Sequence, residues 1–196
     1  MKIIVITPEE IYDGEEKLIA TVLSVGADRV HLRKPHATAE QTSALIERIP
    51  PSLRARISLH DHHALAERYG IGGIHLNGRN PVPPEGFSGK ISRSCHSIGE
   101  LRDCDRYDYM FLSPIFDSIS KEGYASAFSA EELGKARDVI AERTVALGGI
   151  RPEHLPYLAD AGFVGAAFLG YVWQTREQKD VVSRMEEIMR YCGNLS

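Results

Sequence analysis

The sequence predicts an α/β fold, a compact (β/α)8 barrel of the TIM type. Three observations predict it. Short β-branched runs alternate with amphipathic stretches in about eight βα units of roughly 25 residues each, the pattern of an all-parallel sheet closed on itself. Polar side chains gather at the C-terminal ends of many different strands, where barrels place their chemistry. The last two strands, in Thr144-Val-Ala-Leu-Gly-Gly-Ile150 and Gly165-Ala-Ala-Phe-Leu-Gly-Tyr171, run into glycine. A doubly wound open sheet is the competing architecture, but no glycine-rich dinucleotide turn follows the first strand. At 196 residues the chain is one domain, 1–196, with short loops, near the lower limit of about 200 for such barrels.

Each element has its own signal. Ile3 to Thr7 reads as the first strand, and Leu18, Ile19, Val22 and Leu23 form one face of a helix from Glu16 to Val25, stopped by Gly26. Arg29 to Arg33 is the second strand. Thr38 caps a helix that runs to about Ile49 and ends at Pro50-Pro51. Arg56 to His60 is the third strand, with a helix from His63 to Tyr69. Gly73 to Asn77 is the fourth. The segment after it carries Pro81, Pro83 and Pro84. A proline inside a helix costs about 3 kcal/mol or more, so the fourth helix is short or missing. Lys90 to His96 is strand five, with a short helix from Ser97 to Arg102, and Asp108 to Ser113 is strand six. A long loop, Pro114 to Phe128, leads to a helix capped by Ser129, with Glu131 and Glu132 in its first turn. Helices are expected over Pro152 to Ala161 and Glu177 to Arg190.

An apolar fraction of 43% and a charged fraction of 26% are ordinary for a globular protein. The net charge of −4 argues against nucleic acid or an anionic membrane as partner, so an anionic ligand would need a local site. Cys95, Cys104 and Cys192 do not form a disulfide framework. No window is long and apolar enough to span a membrane, and the apolar start is too short for a signal peptide, so a cytoplasmic location is expected.

The predicted strand ends carry His31 and Arg33, His60 and Asp61, Asn77, His96, Ser113 with Lys121 beyond it, Gly148 and Gly149, and Gly170. Histidines with arginine and lysine, and few carboxylates, suit an anionic substrate and acid–base chemistry by imidazole. They suit neither a glycosidase pair nor a dedicated magnesium cage. Glycine lets backbone N–H groups approach a ligand closely. Gly148-Gly149 paired with Gly165 and Gly170 on the next strand therefore predicts a phosphate cup after strands seven and eight. His60-Asp61-His62-His63 carries histidines spaced as zinc ligands at a strand end, but strand eight supplies no aspartate to complete a site, and no metal is expected. Cys95 reads as buried packing.

Several segments in this order resemble one family: Val30-His-Leu-Arg33, Leu59-His-Asp61, Gly73-Ile-His-Leu76, Ser92-Arg-Ser-Cys-His-Ser97 and Tyr109-Met-Phe-Leu-Ser-Pro-Ile-Phe116 with Ser118, Ser120 and Lys121. Val145-Ala-Leu-Gly-Gly-Ile150 and Ala161-Gly-Phe-Val-Gly-Ala-Ala-Phe168 complete the set. The chain resembles the family of thiamine-phosphate synthase and its relative thiazole tautomerase over about Ile3 to Val172. That resemblance implies a small barrel handling thiazole phosphate. Gly148, Gly149 and the backbone at Leu169 and Gly170 would hold the phosphate, with Lys121, Ser118, Ser120 and His60 binding substrate.

In the synthase pattern a glutamine-x-arginine stands at strand two, an asparagine-aspartate pair at strand three and a second aspartate after strand four. The aspartates hold Mg2+ on a pyrimidine diphosphate. Here His31 replaces the glutamine, His60 the asparagine and Asn80 the second aspartate; Asp61 remains, and Pro35 replaces an expected cation. Magnesium is a hard ion that prefers anionic oxygen, so losing one carboxylate weakens its site. His31 and the Arg-Ser-x-His-Ser pattern around His96 are similar to the tautomerase branch.

The resemblance thus implies, first, a cofactor-free, metal-free aromatising thiazole tautomerase, with His96 as base and His31 and Arg33 holding the substrate. The alternative is a Mg2+-dependent thiamine-phosphate synthase, with Asp61 and Asn80 as what remains of the metal site. Two further readings are a non-catalytic binder of thiazole phosphate or thiamine phosphate that partners thiazole synthase, and a metal-dependent hydrolase built on His60 and His62. The expected partner is a small phosphorylated thiazole, with neither nucleic acid nor membrane, and a homo-oligomer remains open.

Overall fold

The computed structural model describes residues 1–102, 105–116, 128–141 and 143–195. Eight parallel strands close into a barrel in sequence order: β1 Lys2–Ile6, β2 Arg29–Leu32, β3 Ile57–Leu59, β4 Gly73–Leu76, β5 Lys90–Cys95, β6 Tyr109–Leu112, β7 Thr144–Leu147 and β8 Gly165–Phe168. β8 closes onto β1 with Val5 opposite Phe168, and Leu147 of β7 lies opposite Ala167.

Strand alternation sends successive side chains to opposite faces. Ile3, Val5, Val30, Leu32, Ile74, Leu76, Met110, Leu112 and Phe168 cluster with helix residues such as Leu18, Ile19, Val22, Leu45, Ile46, Met185 and Ile188. Their neighbours Ile4, Ile6, Phe111, Val145 and Ala167 form a separate cluster inside the ring. Full burial of each large aliphatic side chain is worth about 1.5–3 kcal/mol.

The outer layer holds α1 Glu15–Val25, α2 Ala39–Arg48, α3 Pro51–Arg54, α4 Leu65–Tyr69, α5 Ala130–Lys135, α6 Arg137–Ile140, α7 Leu155–Asp160 and α8 Gln178–Gly193. Thr38 and Ser129 begin their helices with reciprocal capping boxes to Gln41 and Glu132. Pro50-Pro51 ends α2 as expected, but Pro51 also opens the one-turn α3, where its fixed φ suits the first helical position. α4 starts two residues later than the sequence suggests, because His62 turns the chain with a φ of 54°. Ser97–Arg102 yields only a 3₁₀ turn, Gly99–Arg102. Pro152 and Pro156 split the next expected helix into a 3₁₀ turn, Pro152–His154, and α7.

Residues 77–89 form no helix. Phe87 packs against the outer core instead. Pro84, Glu85, Phe87 and Gly89 share a hollow of about 320 Å³ with His63 and Ala66 beside α4. The proline-rich loop therefore covers the outer wall where a fourth helix would lie.

Candidate active site

β7 and β8 lie side by side and parallel, so Gly148 and Gly149 after β7 and Gly170 after β8 stand at the same end of the barrel. Gly148 and Gly149 have φ of 98° and 60°, a left-handed conformation glycine adopts without strain. A Cβ on Gly148 would sit 2.9 Å from Cα of Pro114, so the position also demands the missing side chain. No described backbone carbonyl accepts from the amides of Gly148, Gly149, Leu169 or Gly170.

β3 and β4 stand across the ring from β7 and β8. There the lumen is lined by imidazoles. His31 Nδ1 lies 2.8 Å from His60 Nε2, and His31 Nε2 lies 2.6 Å from the Tyr109 hydroxyl. His75 contacts Ser92 Oγ and Ser94 Oγ, each at 2.9 Å. The His60 and His75 rings stack at 4.1 Å, and Phe111 packs on His31 and His75. Burial is the main cause that holds all three histidines neutral. It pushes His31 and His60 well below the usual imidazole range, with neighbouring positive charge adding to it, and His75 down to about 3.

This corrects the placement of His31. Its ring is fully buried and both nitrogens are engaged inside the barrel, so it does not reach a ligand at the mouth. Alternation puts Arg29 and His31 on the lumen side of β2, and Val30 and Leu32 on the helix side. His60 lies closer to the opening, and its Nδ1 has no partner among the described residues.

His31, His60 and His75 bring one nitrogen each within 4.8 Å of one another. A zinc ion lies in the plane of each imidazole that binds it, about 2.0–2.1 Å from the nitrogen. Rings stacked face to face do not aim their in-plane lone pairs at one point, and His75 already serves two serines. His62, the other half of the hydrolase reading, turns away to the carbonyl of Ala37 at 2.7 Å.

Arg33 leaves the end of β2 with its backbone N–H on Thr7 Oγ1 and its guanidinium paired with Glu9. The guanidinium hydrogen bond holds the Glu9 carboxyl below its ordinary range. His96 follows β5 and is exposed. Its Nδ1 lies 3.2 Å from the Ser113 carbonyl and 3.5 Å from the Ser113 hydroxyl. Cys95 beside it is buried, with its thiol pushed up to about 11, and is no nucleophile. Lys121, Ser118 and Ser120 lie outside the described residues.

One group escaped the sequence reading. Residues 77–80 make a tight turn in which Asn77 Oδ1 accepts from the backbone N–H groups of Arg79 and Asn80. Asn77 Nδ2 and Asn80 Nδ2 both donate to the His60 carbonyl, at 2.8 and 3.1 Å. The turn is thereby pinned to the end of β3, and Arg79 pairs with Asp61 at 3.0 Å. Asn80 Nδ2 also donates to the same Asp61 oxygen at 3.2 Å.

These residues do not fit a two-carboxylate magnesium site. Both neighbours of the Asn80 amide are acceptors, so its NH2 end faces Asp61 and its oxygen points elsewhere. The Asp61 carboxylate is already held by a guanidinium. Its second oxygen is buried without a partner, the one feature a cation could use.

A family model described as thiamine monophosphate synthase matches residues 3–172. A thiamine-phosphate synthase from Thermus thermophilus is 31% identical over 170 residues, covering 81% of this chain and 82% of the relative. A crystal structure of thiamine phosphate pyrophosphorylase from Bacteroides thetaiotaomicron is 35% identical, covers 98% of both chains and superposes with a TM-score of 0.89. The thiamine phosphate pyrophosphorylase of Pyrococcus furiosus, at 20% identity and a TM-score of 0.81, shares the fold. No described helix is long and apolar enough to cross a membrane. The chain belongs to the thiamine monophosphate synthase family of enzymes.

Proposed function

We propose that this chain is a thiamine-phosphate synthase that joins a pyrimidine methyl diphosphate to a thiazole phosphate and releases pyrophosphate. The observation that carries this reading is a mouth with two anion-facing sides. Glycine amides stand at the ends of β7 and β8. A cation-bearing rim faces them across the ring at the ends of β2 to β4. Two phosphorylated substrates need two such places; a tautomerase needs one. The relatives' names support the same choice.

The amides of Gly148, Gly149, Leu169 and Gly170 would take the thiazole phosphate. Arg33 acts at the opposite rim, close enough for its charge to bear on His60. Lys121, Ser118 and Ser120, which lie outside the described residues, are proposed to bind substrate. In the reaction, the bond from the pyrimidine methylene carbon to the diphosphate oxygen breaks and its electron pair leaves with the oxygen. The thiazole nitrogen lone pair forms the new C–N bond. No net proton transfer is required, so the site's task is to orient the pair and neutralise the leaving group. His31 becomes a positioning residue: fixed by Tyr109, it fixes the ring of His60.

Incubating the protein with both substrates tests this, with thiamine phosphate and pyrophosphate as readout. The tautomerase is the second reading, favoured by the exposed imidazole of His96 after β5. That base would remove the C2 proton of a carboxylated thiazole phosphate and return one to the exocyclic carbon. Aromatisation of that compound alone, with no pyrophosphate released from the pair, would overturn the synthase reading. Saturable binding with neither turnover would leave the non-catalytic partner. Gly148→Ala, which loses both the left-handed freedom and the space beside Pro114, is expected to raise KM for the thiazole phosphate by at least about tenfold. The KM for the diphosphate should stay nearly unchanged.

A further inference from the structure

We infer that Arg79, held on Asp61, takes the place of a divalent cation as the counter-charge of the diphosphate. The inference rests on the synthase reading and concerns its diphosphate subsite.

Charge arithmetic supports it. Two carboxylates and a divalent ion sum to zero; Asp61 and Arg79 also sum to zero. Asn80 stands where the resemblance implies a second carboxylate, and a guanidinium lies one residue before it. The rim stays neutral before the ligand arrives, and a cation faces the mouth in both arrangements. Arg79 uses Nε and Nη2 on a single oxygen of Asp61, at 3.3 and 3.0 Å. A guanidinium offers five donors in a rigid fork, so its remaining N–H groups suit the oxygens of a diphosphate. The side chain is half exposed, while its partner Asp61 is nearly buried. A cation anchored from below and open above is pre-organised for an anion.

The turn fixes this geometry from several directions. Asn77 and Asn80 tie it to the His60 carbonyl, and Asn77 orders the backbone at Arg79 itself. A divalent ion on the remaining oxygen of Asp61 would face the Arg79 charge across the same carboxylate. Ion and guanidinium therefore compete for one anchor. In the bond-breaking step, Arg79 receives the diphosphate as the C–O electron pair leaves with it, and no proton or metal is consumed.

Calorimetric titration of the full chain with inorganic pyrophosphate, in EDTA and in Mg2+, tests the inference apart from turnover. We expect binding in EDTA within about threefold of that in Mg2+, and Arg79→Gln to weaken binding in EDTA by about tenfold or more. The double variant Arg79→Gln/Asn80→Asp restores paired carboxylates and should bind pyrophosphate only with Mg2+. Wild-type binding that appears only with Mg2+, or Arg79→Gln binding as wild type does, overturns it. Thermal melts confirm that each variant is folded. Synthase turnover with and without EDTA separates the two ideas. Tight metal-free pyrophosphate binding without any thiamine phosphate formed sinks the synthase reading and leaves Arg79 as an anion ligand.

Discussion

Replacing Lys34 by methionine is expected to lower the unfolding free energy by about 3–5 kcal/mol, the cost of stripping one partner from a buried ion pair. Lys34 and Glu15 are almost fully buried, and Nζ lies 2.6 Å from Oε1. The remaining ammonium donors go to the carbonyls of Pro8 and Glu10, at 2.7 and 2.9 Å. The pair therefore ties the end of β2 to the loop after β1 and the first residue of α1. Burial pushes Glu15 up and Lys34 down, each toward its neutral form, and their mutual attraction opposes both shifts. Without Lys34 the carboxyl must take a proton or stay charged in the interior. Lys34→Met/Glu15→Leu should recover most of the loss, because an apolar pair of similar volume needs no solvation. Urea unfolding followed by circular dichroism reads both. A single variant within 1 kcal/mol of wild type would show that the pair does not hold this corner.

Acid is expected to destabilise the barrel steeply below neutrality. His31, His60 and His75 stay neutral in the fold, with their pKa values depressed by burial. In the unfolded chain they protonate near 6.5. Below that pH the unfolded state binds protons the folded state refuses, so stability falls as pH falls. For His75 the loss continues down to about 3. Each group contributes about 1.4 kcal/mol per pH unit once well below 6.5, and the three together about 4. Unfolding midpoints measured from pH 7.5 to 4.5 check this. His31→Gln/His60→Asn, which leaves His75 and the less buried His63 and His154, should flatten the curve clearly without abolishing it. Midpoints that do not move between pH 7 and 5 would show that the lumen admits protons.

Much of this was readable in the chain itself. Thr38 with Gln41 and Ser129 with Glu132 announce their helices through local hydrogen bonds that need no tertiary context. Three prolines after β4 rule out a helix by sterics alone. Gly148-Gly149 announces a left-handed turn at the end of β7 through backbone freedom, whereas Gly165 opens β8 opposite Lys2, at the far end of the barrel from Gly170. What local pattern cannot give is depth along the barrel axis. His31 and Arg33 sit two residues apart on one strand, yet one is sealed in the lumen and the other reaches the rim. Long-range pairs are equally hidden: nothing near Glu15 announces Lys34. Arg79 had a signal that was passed over, a cation beside the amide that stands where a second carboxylate was expected. Its meaning appears only when the turn at 77–80 is seen folded onto Asp61.

The loop that replaces the missing helix gives this barrel a seam. Val82, 73% exposed among the prolines, lies on a connection that bears no strand of the closed ring. New chain termini or a grafted peptide opened there would leave every inter-strand ladder intact. The fold thus carries its own place for cutting and rejoining, three residues beyond the Arg79 that holds Asp61.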